Sequence, residues 1–575
     1  MYVLMRLALR LSLLLLGYVC VLTVIVIPYA WVVAVIAALA LLRRRRHSLS
    51  AYGTASWASA EDIPHLLDGN GLMVGHLDGK IGRVEGVKAL FNPRLRAKDA
   101  CKTFLASCQG KQPKRTVRLT NAVHTAVFAP TGVGKGVSCV VPFLLTCRDS
   151  MVVIDFKGEN TLLTAQARRK MGHRVVVIDP FKITTRKPDT FNPLEFIDRD
   201  AATAIDECRD LAEALVVRTG QEKDPHWNDA GEIFIAAMTS MAVAFAEGSD
   251  KNLQSVRSLL TDPDKMQAAI KMMCESPDIW EGMLSRLGNQ LTQFKDKELA
   301  SCLTTTNRFM RFLDTIAVSD STRKSSFTPA DLLKGKMTVF LVLPPEHQRA
   351  QSPLLRLWIG SMLRAVVKGG LQEKTKVHFV LDEAASLGHM ESLDDAVDKY
   401  RGYGVRLQLY YQSLGQLKKC WPEGQEQTLL SNTTQVFFGV NDQQTAEYVS
   451  NRLGEYTQIV TSGGTSYGGS AQQSTGQGTS SSYSRSWNAN DNWQQAGRKL
   501  LKPEEVAGLS ERIAITFTPG VPPIWTWLVR YYEAGFKTKQ GIGPVKSVID
   551  TACLFLTAAM FAVLATALVI PQPYR

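Results

Sequence analysis

The sequence predicts an α/β protein built on a parallel sheet, interrupted by an all-helical stretch and flanked by apolar segments suited to a membrane. Three observations carry this. Short apolar runs ending in polar or glycine residues alternate with helix-compatible segments, the pattern of βαβ units. Between Asn192-Pro193 and about Ser326 that alternation stops, and apolar residues recur at helical spacing instead. Near each end lies an uncharged stretch long enough to cross a bilayer.

Length and composition bound the answer. A chain of 575 residues suggests three or four units at about 150 residues each. A net charge of +13 suits nucleic acid or an anionic membrane face, and equally simple solubility. The ten cysteines form no C-x-x-C pair and no Cys/His cluster, which argues against a structural zinc site and against a disulfide scaffold. Reduced thiols in a cytosolic compartment are expected.

At the N-terminus, Leu11 to Leu42 is 32 uncharged residues, ending at Arg43-Arg44-Arg45-Arg46. One straight helix of that length would run to about 48 Å, beyond a hydrocarbon core of about 30 Å. Two spans forming a hairpin around Pro28, or one tilted span, satisfy it, and Arg6 and Arg10 add positive charge at the other end. The run is too long for a cleaved signal peptide. At the C-terminus, Thr551 to Ile570 is uncharged for 20 residues after Lys537, Lys539, Lys546 and Asp550, and reads as a second membrane segment, with a buried or interfacial helix as the alternative.

Strands are expected at Thr125–Phe128, Met151–Ile154, Val175–Ile178, Thr338–Leu343, Val377–Leu381, Arg406–Tyr411, Val436–Val440 and Ile513–Phe517. After the first comes Ala129-Pro130-Thr131-Gly132-Val133-Gly134-Lys135-Gly136-Val137, then a helix-compatible stretch. Strand, glycine-rich turn and helix together are the context of a phosphate-binding loop. Glycines let successive N–H groups turn inward around an anion at a helix N-terminus, and Lys135 can lie along β- and γ-phosphates. Thr131, Gly132, Val133, Gly134, Lys135, Gly136 and Val137 are the candidate nucleotide contacts. The match to G-x-x-x-x-G-K-[ST] is imperfect: Ala129 replaces the first glycine and Gly136 replaces the hydroxyl residue that normally meets Mg²⁺.

The strand Val377–Leu381 ends in Asp382-Glu383. In a nucleotide hydrolase the first acid holds Mg²⁺, usually through water, and the second orients the attacking water, so both belong at the carboxyl end of a sheet strand. Gln412, at the end of another strand, is placed either to sense a γ-phosphate or to cap the following helix. Arg401 is placed either to reach the nucleotide of a neighbouring subunit or to serve as solvated surface charge. Thr461 to Ser486 draws 22 of its 26 residues from Gly, Ser, Thr and Gln and is expected to be a mobile surface loop.

Taken in order, Tyr52-Gly53-Thr54-Ala55-Ser56-Trp57-Ala58, the loop Ala129–Val137, Asp155-Phe156-Lys157-Gly158-Glu159 and Phe191-Asn192-Pro193-Leu194 resemble the type IV secretion coupling proteins, the TraG-like inner-membrane ATPases of conjugation systems. The resemblance continues through Leu381–Leu387, Gly402-Tyr403-Gly404-Val405-Arg406, Gln412-Ser413-Leu414 and Phe438-Gly439-Val440-Asn441-Asp442, covering roughly residues 50 to 535. It implies an N-terminal membrane anchor, a RecA-like nucleotide domain, an inserted all-α domain facing the cytoplasm, and a homo-hexamer. It also makes Gly-Lys-Gly an ordinary form of the loop, while the C-terminal span is not usual for the family.

The expected organisation is a membrane anchor at 1–45, a RecA-like domain at 46–195 and 326–535 with a linker region 46–120, and an all-α insertion at 196–325. A flexible Gly/Ser-rich loop at 461–494 and a C-terminal transmembrane helix at 549–570 complete it. The expected activity is ATP hydrolysis with Mg²⁺ at a multi-pass protein of the bacterial inner membrane whose main body lies in the cytoplasm. Lys135, Glu383, Arg401 and Gln412 would be catalytic and Asp382 the metal ligand. The expected partners are type IV secretion channel proteins and a relaxase bound to single-stranded DNA. The competing readings are export of protein effectors only, a nucleotide-binding receptor or scaffold without turnover, and a chromosome-partitioning translocase.

Overall fold

The strands predicted from alternating apolar runs assemble into one sheet. In the computed structural model, which describes residues 2–26, 51–67, 71–77, 83–92, 96–108, 115–120, 122–218, 224–372, 374–421, 424–472 and 482–533, eleven strands stand in the order β2-β1-β13-β12-β9-β3-β8-β7-β4-β6-β5. The strands are β1 Leu72–Leu77, β2 Thr116–Leu119, β3 His124–Phe128, β4 Ser150–Asp155, β5 Arg174–Ile178, β6 Met337–Val342, β7 Val377–Leu381, β8 Val405–Tyr411, β9 Thr433–Phe438, β12 Ile513–Phe517 and β13 Ile524–Trp527. From β9 to β5 every neighbouring pair is parallel, and β12, β13, β1 and β2 extend the β9 edge antiparallel. The parallel strands are buried along nearly their whole length, as strands covered on both faces must be. The predicted strands all form, while β1, β2 and β13 had no expectation. Of these β2 is the edge strand, β2 and β13 have four residues each, and β1 is broken by Gly75, where the register shifts.

The helices follow from the same pattern. Ahead of the sheet come α1 (Tyr2–Val26), α2 (Arg83–Phe91) and α3 (Ala97–Cys108). The side chains of Arg6 and Arg10 donate to Leu90 O at 2.8 and 2.7 Å, and Arg6 also to Asn92 O at 2.6 Å. Leu4, Leu7, Leu11 and Leu14 to Leu16 on α1 are exposed. Among the described residues α1 contains the one helix long and apolar enough to cross a membrane. The expected return arm of a hairpin and the segment 549–570 lie outside the described residues, so a multi-pass arrangement is not supported here.

Next are α4 (Val141–Thr146) and α5 (Glu159–Lys170) beside the sheet. Between 204 and 322 the described residues are helical: α6 (Ala204–Leu215), α7 (His226–Phe245), α8 (Leu253–Thr261), α9 (Pro263–Cys274), α10 (Met283–Leu291), α11 (Asp296–Met310) and α12 (Ile316–Thr322), with short 3₁₀ turns. Asn192 holds the two ends of this stretch together. Its side chain accepts from Leu194 N at 3.2 Å and donates to Lys251 O at 2.8 Å and Arg323 O at 3.2 Å. Chain entry and exit are thereby fixed side by side on the sheet.

The segment Tyr52–Ala58 also gains a physical role. Ala55 N donates to Glu455 O at 3.1 Å, Ala58 N to Pro523 O at 2.8 Å, and Trp57 packs edge-on against Trp525. Gly53 sits at φ 141°, and a Cβ there would lie 2.2 Å from Glu455 O.

The Gly/Ser-rich region takes a form that its composition did not suggest. The Gly/Ser-rich segment 461–494, read as a flexible loop, contains most of a long antiparallel hairpin, β10 (Glu455–Gln472) and β11 (Ser482–Lys499), in continuous register from Glu455↔Lys499 to Gln472↔Ser482. At about 3.4 Å per residue its strands reach roughly 60 Å. Missing apolar surface limits side-chain burial, whereas a two-stranded ribbon satisfies its backbone groups by pairing.

Arg168 on α5 is fully buried and holds the α4–β4 corner: Nε donates to Thr338 Oγ1 at 2.9 Å, Nη2 to Asp149 O at 2.8 Å, and Nη1 to Leu144 O at 3.3 Å and to Cys147 O. Arg168→Met leaves these carbonyls without a partner and is expected to destabilise the protein by about 3 kcal/mol, read as a lower midpoint in thermal unfolding of the purified chain.

Candidate nucleotide site

The sequence places a glycine-rich turn after β3, and the parallel sheet puts that turn at the carboxyl ends of β8 and β7 as well. Ala129 N donates to Tyr411 O at 3.0 Å, extending the β3–β8 ladder into the loop. Gly132 and Gly134 have φ of 90° and 98°, left-handed values that favour glycine. A Cβ on Gly132 or on Gly136 would meet nothing within 4 Å, so the space above both stands open to a ligand. The chain then enters a π-helical turn, Gly136–Val140, before α4, a form that recurs at functional sites. Val133 is buried, Thr131 and Gly132 are exposed, and Gly439 at the end of β9 packs under Val133, where a Cβ would lie 2.7 Å from Val133 Cγ1. Tyr531 N donates to Val137 O at 2.9 Å, which brings the end of the compact unit 1–531 onto the loop. Sequence spacing carried no signal for that contact.

Lys135 Nζ turns back to donate to Ala129 O at 2.7 Å. Burial lowers its pKa, opposed by the charges of Asp382 and Glu383. Asp382 is pushed up to about 6, first by burial and further by Glu383 and Asp155, against the pull of Lys135. Three acids and one lysine therefore share the edge formed by β3, β7 and β4. Asp155 was visible as a motif residue without an assigned task. Its carboxylate accepts from Thr161 N and Oγ1 at 2.7 and 2.8 Å and so fixes the start of α5, while burial raises its pKa.

Glu383 has φ 55° and ψ 53°, a left-handed conformation that is uncommon for a residue with a side chain and concentrates at functional sites. Gln348 Nε2 reaches Glu383 Oε2 at 3.5 Å, a neighbour that sequence reasoning missed because it lies 35 residues upstream on another element. Gln412 lies at the end of β8, and its backbone N–H donates to Gln416 Oε1 at 2.9 Å. The cap of the following helix Leu414–Cys420 is Ser413, which accepts from Gln416 N, so Gln412 is not the cap. Arg401 stands apart. It is exposed in the turn Tyr400–Tyr403 ahead of β8, at the opposite end of the strand and roughly 20 Å from its carboxyl end.

This edge combines a glycine-bearing loop at the end of a parallel strand, a half-buried lysine and adjacent carboxylates, a set able to hold a polyphosphate and a divalent cation. A family profile described as "Type IV secretory system Conjugative DNA transfer" matches residues 90–553. The chain belongs to that family. Among relatives of this conjugative DNA-transfer family, the chain is 27% identical over 497 residues to protein VirD4 of Rhizobium rhizogenes, covering 86% of this chain and 66% of the relative. It is 28% identical over 413 residues to conjugal transfer protein TraG of Rhizobium radiobacter, covering 70% of this chain and 61% of the relative. The chain thus spans just under two thirds of their length.

Among solved structures, the fold matches the bacterial conjugative coupling protein TrwBdeltaN70 in a trigonal form with sulphate, at a TM-score of 0.56 and 17% identity, covering 83% of this chain and 96% of that one. It also matches plasmid coupling protein TrwB in complex with ADP and Mg²⁺, at a TM-score of 0.53 and 17% identity, covering 71% and 85%. The large, mostly parallel sheet of this chain is therefore the fold of those coupling proteins.

The raised pKa of Asp382 has a consequence for stability. Its proton is held more tightly in the folded than in the unfolded chain, so this contribution is present below the ordinary value of 3.8 and is lost as pH rises through about 6. Above that pH, in the absence of nucleotide, Asp382→Asn is expected to be more stable than wild type by on the order of 2 kcal/mol. The difference should vanish towards pH 4 in paired thermal melts.

Proposed function

We propose that the protein is a membrane-anchored ATPase that couples nucleotide turnover to delivery of a relaxase-bound single-stranded DNA into a type IV secretion channel. The observation that carries this reading is Lys135 facing Asp382 and Glu383 across one sheet edge in a chain of the conjugative DNA-transfer family. The relatives' names and the ADP and Mg²⁺ of the TrwB complex support the same assignment.

In this reading, the amides from Thr131 to Val137 and the ammonium of Lys135 bind the phosphates of ATP. Lys135 exchanges its bond to Ala129 O for β- and γ-phosphate oxygens, so the loop holds the lysine close to its working position. Mg²⁺ fits beside Asp382, because a carboxylate driven towards protonation by burial and by two neighbouring acids gains from a cation. With no hydroxyl at Gly136, Asp382 is the residue that would hold the ion, through water. Bound Mg²⁺ neutralises charge on the phosphate oxygens. Glu383 orients the attacking water and accepts its proton, and Gln412 senses the γ-phosphate.

Arg401, at the far end of the sheet, serves the nucleotide of an adjacent protomer in a hexameric ring, which its distance from the chain's own loop supports. The exposed leucines of α1 anchor the protein in the inner membrane, with the described body on the cytoplasmic side. DNA contacts are to phosphates and therefore weaken as salt rises.

The test is ATP turnover by the full chain, with and without single-stranded DNA. Lys135→Ala is expected to lower turnover by about 10²-fold or more, and Glu383→Gln to abolish turnover while retaining nucleotide binding. Unchanged turnover in Glu383→Gln overturns the motor. Turnover without any salt-sensitive DNA binding leaves protein effectors as the cargo.

A further inference from the structure

A buried guanidinium connects the candidate nucleotide site to the helical stretch 204–322. Helix α13, Ser352–Lys368, lies between the two, and Arg356 on its second turn is 1% exposed. Arg356 Nε donates to Ala214 O at 2.7 Å and Nη2 to Val216 O at 3.4 Å, while Nη1 donates to Leu387 O at 2.9 Å and to His389 O. Ala214 lies in the last turn of α6 and Val216 just after it, where the chain leaves towards α7. Leu387 and His389 lie in the loop that begins at Glu383 and ends at the helix Glu391–Asp398. One planar group thus grips a helix C-terminus with one edge and the acid-bearing loop with another.

The loop carries two left-handed residues, Glu383 at φ 55° and Gly388 at φ 65°, and Glu213 at the end of α6 lies 3.7 Å from Arg356 Nη2. The same stretch of chain makes two parallel contacts: Gln348 to the Glu383 carboxylate and Gln351 Nε2 to Phe312 O at 3.4 Å, in the helical stretch. Residues 348 to 356 therefore touch Glu383 at one end and the helical stretch at two points. A lysine could satisfy one of these carbonyl sets as a point donor, but it lacks the fork needed for both.

We infer that Arg356 is a positioning residue that transmits the state of the Glu383 loop to α6 and hence to the helical stretch, so that nucleotide occupancy and cargo contact are felt at one another's sites. The inference rests on the nucleotide reading above and names a regulatory connection within it. A shift of the loop by one hydrogen-bond length must either drag the guanidinium with it or strand a buried carbonyl, at a cost of about 1–3 kcal/mol. Coupling free energies between sites are of that size.

The test is hydrogen exchange on the full chain, without nucleotide and with a non-hydrolysable ATP analogue plus Mg²⁺. In wild type the analogue is expected to slow exchange in both 384–390 and 213–217. In Arg356→Lys the slowing in 384–390 should persist while that in 213–217 falls at least threefold, and Arg356→Met should remove it. Turnover gives a second readout: any stimulation by single-stranded DNA should fall in Arg356→Lys by a larger factor than turnover without DNA. An unchanged response of 213–217 in Arg356→Lys overturns the inference. So does a wild type that slows only 384–390, or an equal loss in both segments accompanied by a lower melting temperature in both variants. If wild type and Lys135→Ala both fail to bind the analogue, the nucleotide reading itself has failed, and the inference falls with it.

Discussion

The structure depends on keeping charged groups partly out of water at one end of a parallel sheet. Lys135, Asp155, Asp382 and Glu383 come from three strands that share their carboxyl ends, and burial works against charge on Lys135, Asp155 and Asp382. A lysine opposite the Asp382–Glu383 pair partly offsets that cost, and a phosphate with a divalent cation would offset the rest. The edge is thus poised to gain from a ligand, at the expense of the stability of the free protein.

Everything else serves to hold that edge in register. The parallel ladder sets β3, β8 and β7 side by side, Gly439 gives Val133 room beneath the loop, and Arg168 locks the corner between α4 and β4 behind it. Asn192 closes the base of the helical stretch, so that 131 residues separate the two points it ties without disturbing the sheet. Arg356 then joins that stretch to the loop after Glu383. Three buried polar side chains, each bonded to backbone carbonyls from distant parts of the chain, do what apolar packing alone would leave loosely specified.

Much of this was legible beforehand for a local reason. A buried parallel strand must read as an unbroken apolar run, and a phosphate loop must place glycine where φ is positive, so β3 to β9 and the loop at 129–137 announced themselves. The strands β2 and β13 did not, because each is only four residues long, and neither did β1, whose apolar run is interrupted by Gly75. The hairpin β10–β11 was misread because composition reports on side-chain burial and is blind to backbone pairing. Tyr52–Ala58 and Phe191–Leu194 were visible as motifs with no task, since their partners, Glu455 and Pro523, Lys251 and Arg323, lie far along the chain.

The sequence by itself determined the fold class, the position of the loop and the acid pair, and the helical stretch between the strands, because each is written in spacing over a few residues. Only the tertiary structure decided that Asp155 joins Asp382 and Glu383, that Gln348 reaches Glu383, that Arg401 stands at the opposite end of the sheet, and that Arg356 spans the site and the helices. These are contacts between residues tens to hundreds of positions apart. Strand order and helix placement, which no local pattern encodes, bring them within hydrogen-bond reach or keep them out of it.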